Sequence, residues 1–180
     1  MKLNTKEITI CALFSAITAL LSQISIPIPF TTVPLTMQVF AVAISGVLLG
    51  AKKGFISQLI YMLMGSIGLP VFAQMSGGLS IVLGPTGGFI LGFPLMALVI
   101  GYFSKKYNKT IYILIGMIIG IIIDYLIGTI LFVFVTKSTF MQGLMMCVVP
   151  FILVDLIKIG LATVIGITLS KRLKLEANIC

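Results

Sequence analysis

The sequence predicts an all-α integral membrane protein with six spanning helices and ordered outer loops, and three observations predict it. Of 180 residues, 59% are hydrophobic and only 9% are charged, against about 25% charged in a soluble domain. The apolar residues gather into long runs. The charged ones gather into short basic clusters between those runs. Lipid offers the backbone no hydrogen bonds, so segments of this kind satisfy themselves as helices. The whole chain, 1–180, reads as a single transmembrane domain with no soluble domain beside it.

The spans fall at about 8–26, 35–51, 54–69, 87–103, 110–135 and 150–170. The first begins at Ile8 with no small-residue cleavage site behind it, which predicts a retained helix rather than a removed signal peptide. The third holds sixteen residues; at 1.5 Å each it reaches about 24 Å, short of a hydrocarbon core of about 30 Å. The connection that follows, 70–86, is apolar yet rich in glycine and proline. Such a segment predicts an ordered cap folded back into the bundle, because irregular backbone at that depth must be buried in protein or line a cavity. The connection 27–34, with three prolines, is its rigid partner on the same side.

Charge sets the orientation. With both termini cytoplasmic, the inner side collects Lys2, Lys6, Lys52, Lys53, Lys105, Lys106, Lys109, Lys171, Arg172 and Lys174. The outer side collects Lys137 alone, and Lys158 falls within a span. That is the positive-inside pattern. The net charge of +8 is thereby a matter of topology, and nucleic acid is not needed to explain it. Cys11, Cys147 and Cys180 are odd in number and widely spaced, which suggests neither a disulfide framework nor a zinc site. The sequence contains no histidine, so Ser-His catalysis and zinc-protease chemistry are excluded. No acid pair is read on a shared helix face, and the chain is not read as an enzyme or as needing a cofactor.

Asp155 and Lys158 in the last span are the leading candidates for chemistry. Each costs about 2.5–3.5 kcal/mol at a helix centre, so each must face an interior and find partners. A spacing of three puts both on one face, in the outer third of the helix. A structural ion pair and a ligand-binding pair both satisfy that placement, and intramembrane ionisable groups favour the second. Asp124, beside Tyr125 in the fifth span, reads equally as a proton relay or as a buried packing group. Gln38 and Gln58 suit interhelical hydrogen bonds, whereas Gln74, in the outer loop, is better placed to meet a ligand. The run GPTGG at 84–88 lacks the ending of a phosphate loop and the spacing of a dinucleotide fold. Its glycines permit a tight turn before the fourth span, and Phe89 after it can wall a pocket or simply pack. Ala12 and Ala16 form a small-xxx-small ridge on the first span, with Ser15 and Ala19 repeating the spacing. With no nucleotide-binding segment, any ATP-driven activity needs another subunit.

Four runs taken together resemble a known family: VPLTMQ at 33–38, GLPVFA at 68–73 with Gly77 and Gly78, GPTGG at 84–88, and Pro150 and Phe151 leading to DLIK at 155–158. The chain resembles the BioY family, the biotin-binding S components of energy-coupling-factor (ECF) transporters, nearly end to end. The resemblance implies a six-helix S-component bundle in the cell membrane whose two outer loops close over the vitamin. It implies high-affinity biotin capture and uptake, with a transmembrane coupling subunit and two cytoplasmic ATPases as partners. Asp155 and Lys158 are then ligand contacts, and Gln74, Gly78, Phe89 and Tyr125 complete the expected biotin-binding set. An asparagine is expected at the position of Gln74, so the amide is kept with one extra methylene. Asp155 would accept from the ureido N–H groups, and Lys158 would serve either the ureido oxygen or the carboxylate. Ala12 and Ala16 match the docking ridge for the coupling subunit. Asp124 matches no family motif. Two alternatives stand beside this reading: a solitary biotin carrier without the ATPase module, and an S component for another vitamin.

Overall fold

A computed structural model describes the backbone of residues 4–29, 31–107 and 109–177, with side chains to Arg172. Lys2, Cys180 and the side chain of Lys174, named above, lie outside the described residues. The chain order is α1 (Thr5–Ser22), β1 (Ser25–Ile26), β2 (Leu35–Thr36), α2 (Gln38–Leu49), α3 (Ala51–Ser66), a 3-10 turn (Ala73–Met75), α4 (Leu79–Val82), α5 (Gly87–Lys106), α6 (Thr110–Thr136), α7 (Phe140–Cys147) and α8 (Ile152–Ala177). Each of the six expected spans holds a helix, although residues 25–26 of the first and 35–36 of the second pair as β-strands instead. Four of them, α1, α5, α6 and the Ile152–Arg172 part of α8, are long and apolar enough to cross a membrane. α2 is apolar but has 12 residues, and α3 has 16, so each rises less than a full hydrocarbon core at about 1.5 Å per residue.

The core lies where α2, α3, α5, α6 and α8 converge, around Val42, Val47, Tyr61, Met96, Ile100 and Met117. Apolar residues such as Leu20, Ile130, Phe134 and Val164 face outward along the helices, as lipid permits. The tightest seam joins α5 and α6. On α6, Gly116, Gly120, Asp124 and Gly128 recur every fourth residue and form one ridge. An added Cβ at Gly116 would strike Phe103, one at Gly120 would crowd Met96 and Ile100, and one at Gly128 would enter the Phe89 ring. From α5, Gly88 meets the backbone of Ile127 and Gly128, and Gly92 meets Asp124. The two helices are therefore antiparallel and in near backbone contact, as small-residue ridges allow in membranes.

Hydrogen bonds between helices do the rest of the positioning. Gln58 Nε2 donates to Thr18 Oγ1 (3.1 Å) and Ser45 Oγ (3.0 Å), tying α1, α2 and α3. Ser15 Oγ donates to the Ser57 carbonyl at 2.6 Å. The two ridges of α1 lie side by side but differ in burial: Ser15 is buried and Ala19 packs on the core, while Ala12 and Ala16 are exposed.

The connections 27–34 and 70–86 are tied to the bundle at described residues. β1 and β2 pair antiparallel, Ser25 with Thr36 and Ile26 with Leu35, and close the 27–34 loop. The 70–86 segment is anchored by Ser22 Oγ to the Val71 carbonyl (2.7 Å), Tyr61 Oη to the same carbonyl (3.0 Å) and Gln23 Nε2 to the Phe72 carbonyl (3.0 Å). Gln23 Oε1 accepts from Met75 N at 2.9 Å. The Phe72 ring fills the space that a side chain at Gly65 would take and meets Tyr61 edge-on at 5.5 Å. One element departs from expectation: 136–149 is not a plain loop but contains α7. Thr139 and Gln142 form a reciprocal capping box there (2.9 and 3.3 Å), a start signal legible at i and i+3.

Candidate functional site

Directly beneath the two ordered loops lies a cavity of about 250 Å³. Val33 and Pro34 from the first loop and Gln74 and Ser76 from the second form its rim. Phe89, Ile90 and Phe93 form an apolar wall from one face of α5, the spacing of three and four placing them together. Pro94, which has no N–H, leaves the Ile90 carbonyl without its helical donor at this wall. Phe151, Cys147 and Phe72 close the remaining apolar surface.

The charged end comes from α8 and α6. Asp155 sits in the first turn of α8, its amide bonded to the Phe151 carbonyl at 2.8 Å. A carboxylate is favoured there by the unpaired N–H groups of a helix N-terminus. Lys158 Nζ donates to Asp155 Oδ1 at 2.8 Å, and Tyr125 Oη donates to Oδ2 at 2.6 Å. Both charged residues are almost wholly buried, at 3% and 4% exposure. Charge-assisted bonds at these lengths are the stronger kind, and they hold the carboxylate in one orientation with lone pairs left for a further donor. On the opposite side, Gln38 Nε2 donates to Tyr61 Oη at 2.6 Å and Gln38 Oε1 accepts from Thr36 Oγ1 at 2.9 Å. That network stiffens the cavity wall where α2 begins.

Asp155, Lys158, Tyr125, Phe89 and Gln74 all line the one cavity. Gly78 does not: its φ of +106° turns the chain into α4, and its amide bonds the Gly65 carbonyl at 2.7 Å. It shapes the loop that carries Gln74. Gln58 is interhelical, as expected, whereas Gln38 is both interhelical and on the cavity wall. The sequence offers no acid pair on a shared helix face, yet Asp124 and Asp155 both line this cavity because two helices supply them. Phe93, Cys147 and Thr36 were missed. Phe93 carries a helical-spacing signal from Phe89; Cys147 and Thr36 carry none. Among the described residues there is no group of metal-ligating side chains.

A helical membrane bundle with a small cavity that is charged at one end and capped by two loops fits a substrate-binding membrane subunit. Its fold is that of an S component. It aligns with a TM-score of 0.86 and 31% identity to a solved structure, the "S-component for biotin from an ECF-type ABC transporter", covering 94% of this chain and 95% of that one. Residues 1–175 match the BioY family, and the chain belongs to that family. Similar relatives include the "Probable biotin transporter BioY" of Pyrococcus horikoshii, 40% identical over 91% of this chain and 96% of the relative. Another is "Biotin transporter BioY2" of Lactococcus lactis, 39% identical over 94% of each chain. A third, "Biotin transporter BioY" of Thermotoga maritima, is 36% identical over 92% of this chain and 96% of the relative.

Proposed function

We propose that this chain is the biotin-specific S component of an ECF-type transporter, capturing biotin with high affinity for uptake across the membrane. Family membership supports the class of function. The observation that carries the ligand reading is the buried Lys158–Asp155–Tyr125 cluster in a cavity that also has the apolar wall of Phe89, Ile90 and Phe93. Biotin offers what such a site needs: a ureido group with two N–H donors and a carbonyl, an apolar ring, and a carboxylate tail. Asp155 accepts from the ureido N–H groups, Phe89 packs on the ring, and Gln74 reaches the ligand from the rim. The chain is a transport protein and not an enzyme.

The same reading assigns six crossings, with α2 and α3 completing their short spans through the ordered loops. Both termini are cytoplasmic, since the lysine-rich ends of α3, α5 and α8 lie opposite the cavity. The exposed Ala12 and Ala16 ridge docks the transmembrane coupling subunit, which is driven by two cytoplasmic ATPases.

The test is equilibrium binding of biotin to the purified protein in detergent, with thiamine and riboflavin as controls. Saturable binding of biotin alone is expected, weakened at least tenfold in Asp155→Asn and in Lys158→Ala. Removing one partner of a buried ion pair costs about 3–5 kcal/mol, and tenfold is only about 1.4. A folded wild-type protein indifferent to biotin ends the substrate reading; unchanged affinity in both variants ends the site assignment.

A further inference from the structure

Asp124 is the one acidic group of the cavity that the Lys158–Asp155–Tyr125 cluster leaves aside. It occupies a ridge position of α6 where its neighbours at four-residue spacing are glycines, and it projects against Gly92 of α5. A Cβ on residue 92 would overlap its Oδ1. The side chain is 1% exposed, lines the cavity, and its Oδ1 has no hydrogen-bond partner.

Among the described residues no cation forms an ion pair with it. The cavity's ammonium, Lys158, is bonded to Asp155 at 2.8 Å, and the Tyr125 hydroxyl is spent on the other Asp155 oxygen at 2.6 Å. An ionised carboxylate left without partners in a membrane interior carries the full desolvation penalty, whereas the neutral acid escapes most of it.

We infer that Asp124 is held as a neutral carboxylic acid and is a second ligand-reading group of the cavity, donating its O–H to a ligand acceptor. Two consequences follow from that charge state. The cavity's side chains sum to zero charge, one carboxylate against one ammonium, so a monoanionic ligand meets no net repulsion. The neutral acid also presents a donor and an acceptor together. A ligand with a carbonyl at one end and a carboxylate at the other has two acceptors, and Lys158 alone cannot serve both. Asp124 supplies a second donor in the cavity interior, beside the amide that Gln74 brings at the rim. This rests on the biotin reading above for the ligand, but not for the protonation state.

Infrared difference spectroscopy of the purified protein, with and without biotin, tests both parts. Wild type at neutral pH is expected to show a protonated-carboxyl C=O stretch that disappears in Asp124→Asn and moves when biotin is added. Asp124→Asn, which keeps a donor and an acceptor in the same shape, should bind biotin within about threefold of wild type; Asp124→Leu should lose at least tenfold, about 1.4 kcal/mol. A carboxylate band alone at neutral pH overturns the inference. So does a band unmoved by biotin in a protein that binds it, or wild-type affinity in Asp124→Leu. A band present in a folded protein that binds no biotin upholds the neutral acid and sinks the substrate reading instead.

Discussion

Asp155 shows how the fold prepares one side chain for the binding role proposed for it. Its two oxygens are claimed by different helices, Oδ1 by Lys158 one turn on and Oδ2 by Tyr125 across the α6–α8 boundary. Tyr125→Phe deletes one bond to a charged acceptor, worth about 1.5–3 kcal/mol. Biotin affinity should fall about tenfold in titrations of the purified variant as the carboxylate loses its fixed orientation, and its thermal midpoint should fall as well. Gln74 poses a different residue-scale question. At φ 58° it sits in the left-handed region, where asparagine is enriched among non-glycine residues, which gives a backbone reason for the asparagine expected here. Gln74→Gly should raise thermal stability by about 1 kcal/mol relative to Gln74→Ala through relief of that strain. Both should weaken biotin binding alike, because both lose the amide. Affinity unchanged in the glycine variant would remove Gln74 from the contact set. Residue type alone singled out Asp155, Lys158 and Gln74, since charge and amides stand out in an apolar chain. Cys147 and Thr36 had no such contrast and entered the cavity wall only through packing.

At the scale of elements, glycine placement decides which helices touch. Gly65 is the clearest case, because the Phe72 ring occupies the volume a methyl would need. That ring anchors the loop carrying Gln74. Gly65→Ala should destabilise the protein by about 1–3 kcal/mol through overpacking and speed proteolysis within 70–78, both measurable on the purified variant. A loop as resistant as in wild type would show that the hydrogen bonds from Ser22, Gln23 and Tyr61 suffice without the ring. The spans were legible in the sequence because long apolar runs in lipid have one solution, the helix. α7 was not, although its Thr139–Gln142 capping box is present in the letters; eight residues inside a connection carry too little periodicity to separate from loop. The pairing of β1 with β2 was equally hidden, two residues being too few for a strand pattern.

For the whole molecule, the cavity and the basic ends lie at opposite ends of the bundle, which makes orientation testable. In a variant lacking native cysteines, a cysteine at Lys137 should react with an impermeant maleimide added outside intact cells. One at Lys109 should react only after permeabilisation. The reverse pattern would invert the topology and move the cavity to the cytoplasmic side. The chain matches its family over residues 1–175 with no nucleotide-binding segment read in it. Proteoliposomes holding this chain alone should accordingly bind biotin but not accumulate it until the coupling subunit and ATPases are added. Accumulation by the chain alone would instead favour the solitary carrier.

Composition and charge clustering were enough to establish a multi-helix membrane protein and the approximate limits of its spans, and they predict a side for its basic ends. Those properties follow from the solvent: lipid rewards apolar helices and the membrane sorts lysines, whatever the helices do to one another. Four ordered motifs added the family. What only the folded bundle decided was which side chains share a cavity, because that depends on how closely helices approach. The glycine ridge of α6 brings Asp124 against Gly92 and sets Phe89 over Gly128, so that α5, α6 and α8 converge on one pocket. Asp124 and Asp155, thirty-one positions apart in the chain, become neighbours there for that reason. Gly78, expected with the ligand contacts, is not among the residues lining the cavity; its backbone turn leads the chain into α4.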